Sequence, residues 1–261
     1  MSEKKLSEKL LYAPKHGYDR SSEVERKEMN EYCEDYKLFL DRGKTERQCV
    51  EYCIELAEKQ GFVEYVPNMA LKAGDKVYCN NRGKGIMLAI IGSESLAKGA
   101  NIAAAHTDAP RLDLKPRPLY EEAEMAYFKT HHYGGIRKYQ WVTVPLELHG
   151  VVTLADGSTV ELHVGDKPSD PQFIINDLLP HLGREQAKKP LGEAIPSESL
   201  NILVGSEPVT DEEEKSRFKL GVLQYLNDTY GIVEEDFISA ELEAVPAYCA
   251  RDVGFDRSFI S

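Results

Sequence analysis

Two segments near the start of the chain carry apolar residues at the three- and four-residue spacing of an amphipathic helix. The first follows Ser22 and Glu25, which fit an N-terminal capping box, and its apolar positions recur until Gly43. The second follows Thr45, which has a glutamine three residues later, and stops at Gly61. The pattern therefore predicts two amphipathic helices that run antiparallel and are joined by a short connection.

Short apolar runs after these helices predict strands, and the last two of them are predicted to be neighbours in one sheet. The runs are residues 62–66, 76–79, 85–91 and 102–105. The turn residues between Asn81 and Gly85 predict a hairpin instead of a phosphate-binding loop, because they join two strand-like runs and open no helix. Residues 102–105 are small or branched, and Pro110 cannot continue a central ladder, so we expect a buried strand that ends at His106.

The second half of the chain alternates between strand-like and irregular patterns. Asp156 and Gly157 lie between two apolar runs and predict a hairpin, whereas residues 117–133 are polar and predict an irregular segment. The other predicted elements are strands at 146–154, 159–164, 201–205 and 238–246, a short helix at 173–182 and a helix at 212–230. We expect an α/β domain at residues 1–116, a β-rich insertion at 117–236 and a return to the first domain at 237–261.

Charge and composition restrict the partners of the protein. The 261 residues include 44 acidic and 32 basic side chains, a formal net charge of -12. This balance argues against nucleic acid and against an anionic membrane, since both call for basic patches. The five cysteines are dispersed and odd in number, so no disulfide framework is expected, and Cys49 and Cys53 fall on an apolar helix face. No apolar run approaches the length of a membrane span, and we expect a soluble protein in the reducing cytoplasm.

The first candidate for chemistry is His106, with Asp108 two residues later. Ligand crevices form at the carboxyl edge of open α/β sheets, where the predicted strand would end. Residues two apart share a strand face, so Asp108 can approach the same site or fix the imidazole tautomer, as carboxylates do behind metal-bound histidines. A structural histidine whose hydrogen bonds are satisfied at a strand end is the alternative. His163 lies in an alternating strand and is predicted to face solvent.

Three separated blocks make the pattern specific. They are NIAAAHTDAPRLDLKP at 101–116, YGGI at 133–136 with Trp141, and VPA at 245–247 followed by RDVGFDRS at 251–258. Together they resemble the aspartyl aminopeptidase family, the M18 zinc metallopeptidases. The resemblance implies an α/β zinc-exopeptidase domain of the phosphorylase/hydrolase-like kind, with an inserted β-rich dimerisation domain and assembly into a homo-oligomer. It also implies removal of N-terminal residues, acidic ones among them, from peptide substrates by water activated between two zinc ions.

The resemblance assigns roles to three residues of this chain. His106 corresponds to the first zinc ligand of the family, Asp108 to the catalytic-site carboxylate that supports the metal, and His181 to a substrate-binding histidine that reaches a neighbouring subunit. In the family the remaining metal ligands follow the block that ends here at Ser261. We therefore expect an amino-terminal portion of such an enzyme, with at most a partial zinc site and no activity alone. The alternative is a non-catalytic assembly or regulatory module derived from the peptidase.

Overall fold

A computed structural model describes residues 6–261 of the chain, except for the side chain of Lys9. These residues form two compact units. One contains residues 6–41 together with Cys249–Ser261, and the other is Arg42–Tyr248. The domain boundaries at residues 116 and 236 stay predictions.

The described residues contain six α-helices and twelve strands. The helices are α1 (Leu6–Leu10), α2 (Gly17–Arg20), α3 (Glu23–Arg42), α4 (Glu46–Lys59), α5 (Leu191–Ala194) and α6 (Arg217–Tyr230). The strands are β1 (Val63–Glu64), β2 (Lys76–Asn81), β3 (Gly85–Ile90), β4 (Arg111–Glu122), β5 (Met125–Tyr133), β6 (Leu146–Thr153), β7 (Thr159–Val164), β8 (Ile174–Ile175), β9 (Ile202–Gly205), β10 (Glu241–Pro246), β11 (Asp252–Val253) and β12 (Phe259–Ile260). None of these helices is both long enough and apolar enough to cross a membrane.

Both predicted capping boxes are present. The backbone N–H of Ser22 donates to Oε2 of Glu25 at 2.7 Å, and the N–H of Glu25 donates back to Oγ of Ser22 at 3.2 Å. Thr45 and Gln48 make the same reciprocal pair at 3.2 and 3.3 Å. The helices α3 and α4 therefore begin where the sequence predicts, because each cap satisfies backbone donors that the first turn leaves unpaired. Cys49 is buried as predicted.

A three-stranded sheet lies in the larger unit, in the order β1-β2-β3. The predicted hairpin is confirmed, because Asn81 of β2 pairs with Gly85 of β3 in antiparallel register. The predicted buried strand at residues 102–105 is wrong. Residues 101–110 form no strand, and Ile102 is 86% exposed. The reason is that no described strand runs beside this segment, so its backbone has no ladder partner and its apolar side chains have no cover.

A second sheet has seven strands in the order β7-β6-β10-β4-β5-β9-β8. The prediction of an irregular segment at 117–133 is wrong, since β4 and β5 form a long antiparallel hairpin there. The turn consists of Ala123 and Glu124, with φ of 51° and 62°, a left-handed conformation that sequence reasoning expects of glycine or asparagine. Pro116 and Pro118 lie where the register shifts between Leu114 and Leu119, at a bulge that needs no ladder donors.

The other elements of this sheet follow the predictions with one exception. The hairpin of β6 and β7, the strands β9 and β10 and the helix α6 are present, although α6 begins at Arg217 and not at residue 212. The predicted helix at 173–182 is wrong. Its first residues form β8, where Ile174 pairs with Leu203 of β9, and residues 176–182 form an irregular segment that ends in a turn. Pairing with β9 satisfies the backbone hydrogen-bonding groups of these residues, so they form a strand and not a helix. This pairing is a tertiary contact, which the local spacing of apolar residues does not reveal.

The seven-stranded sheet has one apolar and one polar face. On the apolar face, α6 and the 3₁₀ helix Glu234–Ser239 cover a core that includes Leu112, Phe128 and Leu226. The opposite face is called the polar face below. The strand register shows which residues share it, since Glu243 of β10 lies between His149 of β6 and Asp113 of β4. Its members are Arg111, Asp113, His131, Tyr133, Glu147, His149, Glu161, His163, Glu241 and Glu243.

Candidate functional site

His106 lies in the extended segment that enters β4. Its imidazole is 80% exposed, and Nδ1 lies 2.8 Å from the backbone oxygen of Asp108 and 3.2 Å from its Oδ1. Both neighbours of Nδ1 are acceptors, so the tautomer that fits carries the proton on Nδ1. The Nε2 atom makes no hydrogen bond with the described residues and keeps its lone pair. This is the state in which a histidine binds a metal ion.

Tyr133 holds Asp108 in place. Its hydroxyl donates to Oδ2 of Asp108 at 2.9 Å. This bond from Tyr133, together with the proximity of His106, lowers the pKa of Asp108, and the same bond raises the pKa of Tyr133. Asp108 is therefore ionised near neutral pH and acts on the imidazole through both its backbone oxygen and its carboxylate. The HTDAP and YGGI blocks, separate in sequence, meet in this contact.

Arg111 supports the site by packing against Tyr133. Its guanidinium lies over the ring of Tyr133, 4.1 Å from the centroid, and Nε lies 2.8 Å from Oδ1 of Asp113. Its Nη1 forms an ion pair with Oε1 of Glu46, 2.8 Å away at the start of α4. Oε2 of Glu243 lies 3.5 Å from Nε. Three carboxylates around one buried guanidinium thus join β4, α4 and β10.

Glu243 gives this network a pH dependence. Burial, with the charge of Glu46 added, raises the pKa of Glu243 from 4.5 to about 8, against the opposing effect of Arg111. Between these pH values the folded state holds a proton that the unfolded chain releases, so the free energy of unfolding falls as the pH rises. Replacing Glu243 by glutamine is expected to remove this slope. In urea titrations followed by circular dichroism, the free energy of unfolding of the variant, relative to that of the parent, should be roughly 3 kcal/mol higher at pH 8 than at pH 5.

A matched control is Glu193→Gln, since Glu193 is exposed. This control should leave the parent's pH slope unchanged. A parent whose stability is flat between pH 5 and pH 8, or a Glu243→Gln variant with the parent's slope, would contradict the assignment.

The structure does not bring the other predicted residue to this site. His181 is exposed in a turn of the larger unit, and no hydrogen bond or ion pair joins it to the His106 segment in the described part of the chain. Residues 6–261 also contain no group of three or more His, Cys, Asp or Glu side chains that could hold a metal ion. His106 therefore supplies one coordination position and not a set.

Sequence reasoning missed two residues of the site. Tyr133 stood in a recognised block but received no role, and Arg111 was not singled out. The available signal was the spacing of Arg111 and Asp113, which places two charged side chains on one face of a strand.

Comparison with known proteins identifies the lineage of this fold. An M18 family aminopeptidase from Thermotoga maritima has a solved structure that matches with a TM-score of 0.89 and 42% identity, covering 96% of this chain and 54% of that one. Aminopeptidase I from Clostridium acetobutylicum matches with a TM-score of 0.86 and 45% identity, covering 96% of this chain and 56% of that one. The fold is therefore that of the metallo-aminopeptidase class.

The sequence comparisons narrow the class to one family. The family described as "Aminopeptidase I zinc metalloprotease (M18)" matches residues 39–261. The probable M18 family aminopeptidase 1 of Clostridium acetobutylicum is 48% identical over 255 residues, which are 96% of this chain and 55% of that protein. The chain belongs to the M18 family. It spans about half the length of the curated relatives it matches. The resemblance and the α/β fold class predicted from the sequence are both confirmed.

Proposed function

We propose that this chain supplies His106 as the first zinc ligand of an M18-type aminopeptidase. The observation that carries the proposal is the contact chain from Tyr133 through Asp108 to Nδ1 of His106. It fixes the tautomer and leaves Nε2 available to a metal ion, as a carboxylate does behind a ligating histidine. In this arrangement Asp108 orients the ligand and keeps it basic, and Tyr133 keeps Asp108 in position.

The complete enzyme holds two zinc ions in this proposal, and the residues present fit one position of that pair. When bound, such a pair polarises the scissile carbonyl and activates water. The substrates are the amino termini of peptides, with a preference for acidic residues. The chain alone is inactive, because a single imidazole does not hold a cocatalytic pair. The part of the relatives' length that this chain does not span would supply the other ligands and the missing neighbours of residues 101–110.

His181 acts at a neighbouring subunit in this proposal. It lies beside three leucines that are 55%, 59% and 65% exposed, at positions Leu178, Leu179 and Leu182. Apolar side chains left in water on a turn favour a protein surface that covers them. The proposed enzyme is a cytoplasmic homo-oligomer formed through the β-rich domain, and this turn reaches the active site of the adjacent copy.

The second candidate function is a non-catalytic assembly or regulatory module. The observation in its favour is that the seven-stranded sheet has a filled core, with Leu112, Leu146, Leu200 and Ile232 fully buried, while the metal position has one ligand. Such a module keeps the surface for association and lacks the chemistry.

The decisive experiment is complementation. The chain is mixed with the separately produced carboxyl-terminal half of the Clostridium acetobutylicum relative and zinc, and release from aspartyl and leucyl reporter peptides is followed. We expect no turnover from the chain alone and turnover from the mixture. His106→Ala should reduce turnover by at least about 10³-fold because it removes a ligand, and Tyr133→Phe should reduce zinc affinity by about 10–100-fold because it frees Asp108.

His16→Ala is the control, since His16 is an exposed histidine of the smaller unit. It should leave turnover unchanged. Equal turnover in the parent mixture and in His106→Ala would rule out the assignment of His106. A mixture that forms a stable complex, binds no zinc and cleaves neither peptide would favour the non-catalytic module.

A further inference from the structure

Two histidines meet on the polar face, away from His106. His149 of β6 and His163 of β7 are partners in the strand register, and their Nδ1 atoms lie 3.1 Å apart. Nε2 of Gln48, on the first turn of α4, lies 3.1 Å from Nδ1 of His149 and 3.5 Å from Nδ1 of His163. The side chain of His149 is 3% exposed and that of His163 is 37% exposed, so the cluster is buried but has one side open to solvent.

The charges around the two rings indicate which nitrogen carries each proton. Nε2 of His149 lies 2.9 Å from Oε1 of Glu147, and Nε2 of His163 lies 3.7 Å from Oε2 of Glu161. A carboxylate beside Nε2 favours a proton there. With a proton on each Nε2, both Nδ1 atoms hold lone pairs 3.1 Å apart. Two lone pairs at 3.1 Å repel, and either a shared proton or a metal ion between the two nitrogens relieves the repulsion.

We propose that Nδ1 of His149 and Nδ1 of His163 bind one Zn²⁺ ion, with the side-chain carbonyl of Gln48 as third ligand and a water molecule as fourth. In a tetrahedral site with bonds of 2.0–2.1 Å, neighbouring ligand atoms are about 3.3 Å apart. The three separations here, 3.1, 3.1 and 3.5 Å, fit that triangle. Two imidazoles and two oxygens form a donor set that suits zinc.

Gln48 must turn its amide to bind the metal. Its Oε1 now accepts from the backbone N–H of Thr45 at 3.2 Å, and its Nε2 faces the imidazoles. A half-turn of the amide exchanges the two atoms with little change in shape. Metal binding therefore gives up one hydrogen bond of the capping box and gains a metal–oxygen bond in its place.

The surroundings favour a cation at this point. Glu147 and Glu161 stand behind the two imidazoles, an arrangement that orients ligating histidines and raises their basicity. Nζ of Lys44 lies 2.5 Å from Oε1 of Glu147, the same oxygen that lies 2.9 Å from Nε2 of His149. The bound ion would link the start of α4 to β6 and β7 through its three protein ligands. The site is separate from the zinc position of His106 and does not depend on the proposed peptidase function.

The test uses the full chain with His106→Ala, so that the other zinc position is removed. Bound metal is measured after dialysis, and Co²⁺ is used as a spectroscopic probe. We expect about one metal ion per chain, a visible cobalt spectrum of tetrahedral intensity and a rise in melting temperature with zinc. His163→Ala should weaken zinc binding by at least about 100-fold, since a direct ligand matters more than the groups behind it.

Gln48→Glu distinguishes this site from a pair of histidines that shares only a proton. A carboxylate has two acceptor oxygens, so one can cap the N–H of Thr45 while the other binds the metal. We expect zinc binding to tighten by about 10-fold or more, with a larger shift in melting temperature. This variant keeps the capping box, so it tests the site even if His163→Ala fails to fold.

His131→Ala is the control, because His131 is an exposed histidine on the same face. It should bind zinc as the His106→Ala parent does. The inference is overturned if the His106→Ala chain binds no zinc, if His163→Ala binds as much as that parent, or if Gln48→Glu leaves the affinity unchanged.

Discussion

Replacing Gly150 by alanine is expected to lower the free energy of unfolding by about 4 kcal/mol or more, enough to prevent stable folding of many domains. Gly150 has a φ of 140°, and a Cβ built on it would lie 1.9 Å from the backbone oxygen of Glu241 and 2.9 Å from its carbon. These are backbone atoms of the paired strand, so no side-chain rotation relieves the clash. β10 would have to move away from β6 where Leu242 pairs with Gly150.

The control is Gly157→Ala in the turn between β6 and β7. Gly157 also has a positive φ, 86°, but a Cβ there would meet no atom within 4 Å. Its replacement should cost only the conformational penalty of about 1–2 kcal/mol. Urea titrations of both variants separate the two causes. Equal losses of stability would mean that backbone conformation, and not the close approach of β10, sets the requirement for glycine at position 150.

Replacing Arg111 by methionine is expected to cost about 3–5 kcal/mol at pH 7. The substitution keeps an apolar stem but leaves the carboxylates of Glu46 and Asp113, and the protonated carboxyl group of Glu243, without their shared cation. Removing one partner from a buried ionic network leaves uncompensated charge. The cost of this charge is larger than the contribution of the intact network to stability. The loss should grow from pH 7 to pH 9, because Glu243, with a pKa of about 8, then loses its proton in the parent and becomes a third carboxylate that needs the guanidinium.

Arg137→Met is the matched control. Arg137 is exposed and lies over the ring of Tyr139, 5.9 Å from the centroid, and it has no ion pair among residues 6–261. Its replacement should change stability by less than about 0.5 kcal/mol. If Arg111→Met costs no more than this control in urea titrations at pH 7, the buried guanidinium does not hold the three carboxylates.

The sequence predicted elements that are determined by neighbouring residues. The capping boxes at Ser22 and Thr45 and the Asp156-Gly157 hairpin require only local contacts, and the structure confirms each of them. The failures have a common cause as well. Residues 102–105 depend on a partner strand, β8 depends on β9, and the turn at Ala123 and Glu124 adopts positive φ without the usual residues. Tertiary contacts decide these places, and local patterns do not contain them.

Some residues of the candidate site could be predicted from local sequence and others could not. His106 and Asp108 were visible because their spacing and surroundings carry chemistry at short range. Arg111, Glu46 and Glu243 come together only when three elements from distant parts of the chain pack, so no local pattern contains their network. His163 was predicted to face solvent, but it is half-buried against His149, because α4 covers a strand face that would otherwise be exposed.

The position of β10 sets the order in which the chain can fold. This strand is made after every other strand of its sheet, yet it lies in the middle, between β6 and β4. During synthesis the sheet therefore exists first as two separate parts, the β6–β7 hairpin and the group of strands β4, β5, β9 and β8. Each part has an edge strand, β6 or β4, whose backbone groups stay unpaired until β10 is made. Such edges bind other chains readily, and contacts distant in sequence form slowly. Synthesis beyond Pro246 is thus the step that closes the sheet and ends its exposure to aggregation.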